Sequence, residues 1–224
     1  MGKLYLVPTP IGNLKDITLR AIDVLAQVDF ILAEDTRKTK KLLKHYDINT
    51  ITKSYHIYNE HKVLDEIINL LISDNNIALV SDSGFPCISD PGFLLVREVI
   101  RKGIYVESLP GASSIIPAIT QSGFPTTNFI FEGFLPKKKG RNKKIIQISR
   151  EKKTVVLFES PHRIIKLLNE IKDVCGVEKN ISISREISKI FEETIRGTVK
   201  ECLMHFEKNE PKGEFVICIQ GIKT

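Results

Sequence analysis

The chain lacks any long apolar run. Nothing in its 224 residues approaches the roughly 20 consecutive apolar positions needed to cross a bilayer, so no membrane span and no membrane partner are expected. Cysteine is scarce and scattered: Cys87, Cys175, Cys202 and Cys218 form no C-x-x-C pair, which supports neither a disulfide framework nor a zinc site. His56 and His61 lie five apart, the other histidines are isolated, and no metal-ligand spacing results. No metal is expected. The glycine signatures of nucleotide sites are also missing. Neither G-x-G-x-x-G nor G-x-x-x-x-G-K-[ST] occurs, so a dinucleotide fold and a P-loop are both unsupported. The apolar part of the opening stretch is too short, and interrupted too soon by Pro8 and Pro10, to read as a secretory signal. Cytosol is the expected compartment.

What is present is the composition of an ordinary globular protein, with 42% hydrophobic and 27% charged residues. The net charge of +6 is only a mild hint of a polyanionic partner. Its distribution says more, because the run from Lys137 to Lys144 places six positive charges in eight residues with no acid among them. Such a run reads either as a solvated loop or as a polyanion contact.

The first half alternates aliphatic strand-like runs with amphipathic helical patterns. Strands are expected at Leu4–Val7, Phe30–Ala33, Ile77–Val80 and Ile104–Leu109, with helices at Thr18–Val28, Thr36–Tyr46, Val63–Ile72, Phe93–Lys102 and Ser113–Gln121. This βαβ alternation argues for an α/β domain with a mostly parallel sheet covered on both faces. After Ser122-Gly123-Phe124-Pro125 the texture changes, and a domain boundary is expected there, giving domains over 1–122 and 123–224. The second half offers strands at Phe129–Leu135, Thr154–Phe158, Asn180–Ile187 and Glu214–Ile219. Helices at Ile145–Arg150, Arg163–Val174 and Val199–Glu207 complete a smaller α/β domain of mixed sheet.

Four turn-rich segments fall at the carboxyl ends of expected strands: Pro8–Asn13, Glu34–Arg37, Ser81–Gly92 and Pro110–Ser113. In open parallel sheets that edge is where ligands sit, because loops and helix N-termini converge on it. The segment VSDSGFPCISDPG (80–92) is far longer than the roughly 2–6 residues a strand-to-helix connection needs. Asp90-Pro91 and Ser113 are also credible helix caps. Capping and ligand binding are compatible, since Gly84 and Gly111 let backbone approach a ligand closely.

With these loops in view, the chain resembles the tetrapyrrole-methylase-like S-adenosylmethionine methyltransferases, and within them the branch acting on ribosomal RNA. The resemblance runs nearly end to end through LYLVPTPIGNLKDIT (4–18), AEDTRKTKKLL (33–43), VSDSGFPCISDPG (80–92), LPGAS (109–113), FEGFLPKKKGR (131–141), FESPHR (158–163), SREISKIFEE (184–193) and KGEFV (212–216). It implies two α/β domains with the cofactor S-adenosylmethionine in the cleft between them, a homodimer, and 2′-O-methylation of a cytidine ribose in the decoding region of 16S rRNA within the small subunit. The chain departs from the family's usual residues at Ser83-Gly84-Phe85-Pro86, Ala112 and Phe158.

The resemblance and the chemistry of methyl transfer nominate residues. A ribose hydroxyl is a weak acid, so its methylation needs a general base or strict positioning. Polar candidates are Glu34, Asp35, Glu159, His162 and Glu186, which could act on the hydroxyl or merely tie loops together. Candidates for the cofactor are Pro8, Pro10, Ser81, Asp82, Gly84, Pro86, Ile88, Pro110, Gly111, Ser113 and Ser160. Candidates for RNA are Arg37, Lys38, Lys137, Lys138, Lys139, Arg141, Arg163, Arg185 and Lys189. Two other readings stay open, a methylase of tetrapyrrole precursors and a non-catalytic RNA-binding module of the same fold.

Overall fold

The computed structural model describes residues 1–222. They divide by internal contacts into two units, Met1–Ser113 and Ser114–Thr224. The division falls nine residues before the expected boundary, because the helix at 115–121 belongs with the second unit. There Gln121 donates through Nε2 to Ser184 Oγ at 3.0 Å, and its carbonyl accepts from Arg196 Nε at 2.7 Å.

In the first unit, β1 (Lys3–Leu6), β2 (Phe30–Ala33), β3 (Ile51–Ser54), β4 (Ile77–Val80) and β5 (Tyr105–Ser108) form one sheet in the order β3-β2-β4-β1-β5. Every pairing is parallel. The helices between them are α1 (Leu19–Gln27), α2 (Thr36–His45), α3 (Glu60–Ile72) and α4 (Phe93–Arg101). Alternate strand residues feed two cores. Leu4, Leu32 and Leu79 pack with Ile67, Leu71, Leu95 and Val99, while Ile31, Ala78 and Val80 pack with Ala21, Leu25 and Leu43. Period-two alternation with apolar residues on both faces is what a central parallel strand requires.

β3 was not expected from the sequence. It is an edge strand, ITKS, with no buried residue, and it forms because Phe30–Ala33 offers a free backbone ladder.

The second unit contains α5 (Ile115–Gln121), β6 (Phe129–Phe134), α6 (Arg141–Ser149), β7 (Thr154–Glu159), α7 (Ile164–Cys175), β8 (Asn180–Arg185), β9 (Glu193–Thr198), α8 (Val199–Lys208) and β10 (Phe215–Ile219). Its sheet runs β6-β7-β10-β8-β9, with β6 parallel to β7 and the other pairings antiparallel. The sheet is therefore mixed, as expected. One face packs Val155, Leu157, Ile181, Ile183 and Ile217 against Ile148 of α6, Leu167 and Ile171 of α7, and Cys202 of α8. β9 is another edge strand that the apolar pattern alone does not reveal. Thr198 ends it and starts α8 with a capping box shared with Glu201.

Among the described residues, no helix is long and apolar enough to cross a membrane.

Candidate functional site

Parallel alignment brings the carboxyl ends of β1 to β5 to one edge of the first sheet, and the four expected loops meet there. Thr9 and Gly84 form an antiparallel bridge between the loops that follow β1 and β4. The Thr9 hydroxyl donates to the Ser81 carbonyl at 3.1 Å, and the Ser81 hydroxyl donates to the Gly84 carbonyl at 3.0 Å. Gly84 has φ +80°, a conformation that only glycine adopts without strain. The loop after β5 is stitched in by contact, since a Cβ on Gly111 would lie 2.7 Å from Pro8 Cβ. Pro8, Ser81, Gly84 and Pro86 are buried in this lacing; Pro10, Gly111 and Ser113 are half-buried, and Pro110 and Ile88 are exposed.

The loop after β2 adds charge. Asp35 caps α2 by accepting from the Arg37 N–H at 2.9 Å, and it holds the Arg37 guanidinium through Nε at 3.0 Å and Nη2 at 2.8 Å. Asp82 joins this loop to the one after β4. It accepts from the Asp35 N–H at 3.1 Å and from Lys38 Nζ at 2.7 Å. The hydrogen bonds from Arg37 hold the Asp35 carboxyl well below the usual carboxylate range, which makes it a poor base. Glu34 behaves oppositely. Burial raises its pKa, and the neighbouring Asp82 raises it further. Asp90, read from sequence only as a helix cap, is pushed up to about 6 by burial first and then by Glu34 and Asp82. Two carboxyl groups at this edge thus hold protons more tightly than free ones. Sequence alone had no means of singling out Asp90, because Glu34, which acts on it, comes from a different loop far back in the chain.

The second unit gathers the other motifs at one end of its sheet, where Phe215 pairs with Glu159 on one side and Arg185 on the other. Glu159 has a fully buried carboxylate. It accepts from Arg163 Nη2 at 2.7 Å, from Arg141 Nη2 at 3.4 Å and from the Ser160 N–H at 2.9 Å. Arg141 is 3% exposed and also grips Glu170 through Nε at 2.8 Å. Arg141 was expected on RNA, and the structure corrects that: its guanidinium is enclosed by two carboxylates and has no face left for a phosphate. Glu159, expected near the chemistry, is likewise the counterion of two arginines. The Ser160 hydroxyl accepts from Arg163 Nε at 3.4 Å.

These arginines do anchor the basic loop. Arg141 Nη1 donates to the Pro136 carbonyl and Arg163 Nη1 to the Leu135 carbonyl, each at 3.3 Å. Lys137, Lys138 and Lys139 stand exposed just beyond, and His162 is exposed at the start of α7.

Glu186 has φ +52° and accepts from Lys189 Nζ and the Glu214 N–H, both at 2.9 Å. Burial works to raise its pKa, but these donors outweigh it and hold the carboxyl low. It too is part of a brace. Lys189 completes that brace with Glu214 at 2.9 Å, whereas Arg185 lines a cavity of about 290 Å³ with Glu193, His205, Phe206, Lys208 and Lys212. Among the described residues, no cluster of three or more histidine, cysteine or acidic side chains is arranged to hold a metal ion.

Comparison with known proteins places this architecture. The family described as Tetrapyrrole (Corrin/Porphyrin) Methylases matches residues 3–203. Ribosomal RNA small subunit methyltransferase I of Thermotoga maritima is 46% identical over 221 residues, covering 99% of both chains. The protein of that name from Synechocystis sp. is 45% identical over 99% of this chain and 80% of its own length. The one from Bacillus subtilis is 44% identical over 99% and 76%. Among solved structures, uroporphyrin-III C-methyltransferase from Thermus thermophilus complexed with S-adenosyl homocysteine aligns with a TM-score of 0.66 at 17% identity, covering 97% of each chain. The cobalamin biosynthetic enzyme cobalt precorrin-4 methyltransferase aligns at 0.70 and 18% identity, covering 97% of this chain and 94% of its own. At such identities these structures establish the fold.

The family match and the full-length relatives at 44–46% identity define this two-sheet α/β chain as a methyltransferase. The chain belongs to the tetrapyrrole methylase family, and within it stands with the proteins named ribosomal RNA small subunit methyltransferase I.

Proposed function

We propose that this chain is an S-adenosylmethionine-dependent methyltransferase that modifies the ribose 2′-hydroxyl of a cytidine in the decoding region of 16S rRNA. The observation that carries the reading is the end-to-end match, at 46% identity, to a relative named for ribosomal RNA small subunit methylation. The reading extends to a homodimer working in the cytoplasm on rRNA of the small subunit.

The residues at the first unit's strand edge fit the cofactor. Gly84 and Gly111 keep side chains out of the laced loops, and the Pro8–Pro10 and Ser81–Pro86 segments line the edge with backbone. The acidic set of Glu34, Asp82 and Asp90 suits a cationic ligand. When bound, S-adenosylmethionine supplies an electrophilic methyl group on a sulfonium. The chain's own residues must then orient the hydroxyl and take its proton. Glu34 is the candidate to accept it among the carboxylates singled out from the sequence, since burial raises its pKa while Asp35, Glu159 and Glu186 are each tied to cations. Lys137, Lys138 and Lys139 serve the phosphate backbone.

The test incubates purified protein with labelled S-adenosylmethionine and either undermodified small subunits or precorrin-type precursors, then maps ribose methylation. Label on a 16S cytidine ribose is expected. Transfer only to the porphyrinoid would overturn the proposal in favour of the tetrapyrrole reading.

A further inference from the structure

The second unit carries an aromatic ring that the site described above does not use. Along the β6–β7 pairing Phe131 lies beside Val156, Gly133 beside Leu157 and Phe134 beside Phe158, so Glu132 is one extra residue, a bulge in β6. Gly133, at φ +61°, supplies the left-handed backbone there. Strand side chains alternate between faces, and without the bulge Phe134 would point away from Phe131. The extra residue shifts the phase by one and brings Phe131, Phe134 and Phe158 to the same face.

Their rings pack accordingly. Phe131 meets Phe158 edge-on with centroids 4.9 Å apart, and Phe158 supports Phe134 at 5.5 Å. Phe131 and Phe158 are half-buried, whereas Phe134 is 53% exposed. The Arg163 guanidinium lies 6.0 Å from the Phe134 centroid, donates to the carbonyl of the next residue, Leu135, and is itself tied to Glu159 at 2.7 Å. The ring is braced on one side and open to solvent on the other.

Chain continuity sets free charge beside it. Lys137 follows three residues later, so its backbone lies at most about 10 Å from that of Phe134. The two carbonyls between them are gripped by Arg163 and Arg141. Those arginines are matched by Glu159 and Glu170. Lys137, Lys138 and Lys139 are exposed, and among the described residues none of the three pairs with an acid.

We infer that Phe134 is a stacking post for one unpaired base of the RNA substrate, with the flanking phosphates on Lys137, Lys138 and Lys139. The inference rests on the rRNA reading above and names the form of RNA that this corner takes. Every base offers a π-face, and single-stranded segments can splay their bases onto a ring. A ring already fixed by its neighbours loses little freedom when a base covers it. A duplex keeps its bases on one another and leaves the ring bare. A second copy of the chain suits the corner less well, since a two-fold contact centred here would set three unpaired lysines against three more.

The chain contains no tryptophan, so Phe134→Trp places a single indole reporter at the post. Its fluorescence is expected to be quenched by a single-stranded oligoribonucleotide, and to stay bright with the same sequence as a duplex or with S-adenosylhomocysteine. Val174→Trp, exposed in the last turn of α7, is the control and should stay bright throughout. In the otherwise unaltered chain, Phe134→Ala should weaken single-strand binding on the order of tenfold, and Phe134→Tyr should bind as the wild type does. Stacking involves no counterion release, so Phe134→Ala should keep the wild-type slope of log affinity against log salt.

An indole that stays bright with the single strand, or unchanged affinity in Phe134→Ala, would overturn the stacking post. A flattened salt slope in Phe134→Ala would do so too, because the ring would then act only by holding the basic loop. Quenching by S-adenosylhomocysteine would assign the ring to the cofactor, and a change of oligomeric state in sedimentation with RNA affinity intact would assign it to a second copy. Methyl transfer to small subunits by the wild type is measured alongside. Transfer that proceeds while any of these results is found sinks only the post, whereas no transfer by the wild type sinks the functional reading and the post with it.

Discussion

Arg141 and Glu159 form an ion pair at 3.4 Å inside the second unit, with side chains 4% and 0% exposed. A charge so enclosed is tolerated only while its partners remain. Arg141→Met leaves the Glu159 carboxylate with Arg163 alone and removes the clamp on Glu170 and on the Pro136 carbonyl. The expected loss of stability is about 3–5 kcal/mol. Denaturant unfolding measures it, and a loss below about 1 kcal/mol would show that the pair is not the anchor described here.

Gly111 and Pro8 make the next prediction. Gly111→Ala places a methyl carbon 2.7 Å from Pro8 Cβ, closer than such atoms approach, so one of the two laced loops must shift. Stability should fall by about 1–3 kcal/mol, and cofactor affinity should fall with it. Gly103→Ala is the control, since a Cβ there meets nothing within 4 Å although its φ of +69° still costs strain. It should lower the melting temperature without changing affinity for S-adenosylhomocysteine.

Asp90 predicts a pH dependence. Its folded pKa, raised to about 6 mainly by burial, lies above the ordinary value of 3.8. Between those values the folded chain binds a proton that the unfolded chain has released. Stability from this group therefore falls as pH rises from about 4 to about 6, and the penalty is fully present above that. Asp90→Asn should accordingly raise the melting temperature at pH 7.5 and change it little at pH 4. A gain that is equal at both values would mean that Asp90 does not titrate in this window.

The strands and loops that build the site were largely legible because central strands announce themselves. Phe30–Ala33 and Ile77–Val80 have the bounds their apolar runs suggest. The edge strands at 51–54 and 193–198 were not, since ITKS and ETIRGT bury little and owe their conformation to a neighbour's hydrogen bonds. The start of α6 was hidden for a related reason. Its first turn, Arg141 to Lys144, looks like solvated loop, and only Glu159 and Glu170, far along the chain, draw Arg141 inside. The order of loops along the chain told which segments meet at one strand edge, but not the state of each carboxylate. Asp35 and Glu34 are adjacent, yet one is fixed by Arg37 and the other is raised by burial.

That same anchoring makes the basic loop a specific prediction. Lys137, Lys138 and Lys139 are exposed just past the two carbonyls gripped by Arg141 and Arg163, so they are held near one place instead of trailing freely. If each lysine neutralises one phosphate, replacing all three by glutamine should reduce the slope of log affinity against log salt by roughly 2–3. Affinity for small-subunit RNA should fall at low salt and converge on the wild type as salt rises. Cofactor binding should not change. The contrasting variant is Lys166→Gln, which loses an exposed lysine 3.9 Å from Glu170 and should leave the slope as it was. Titrations of labelled rRNA across a salt series read both variants, and an identical slope for the triple variant would remove the loop from the RNA surface.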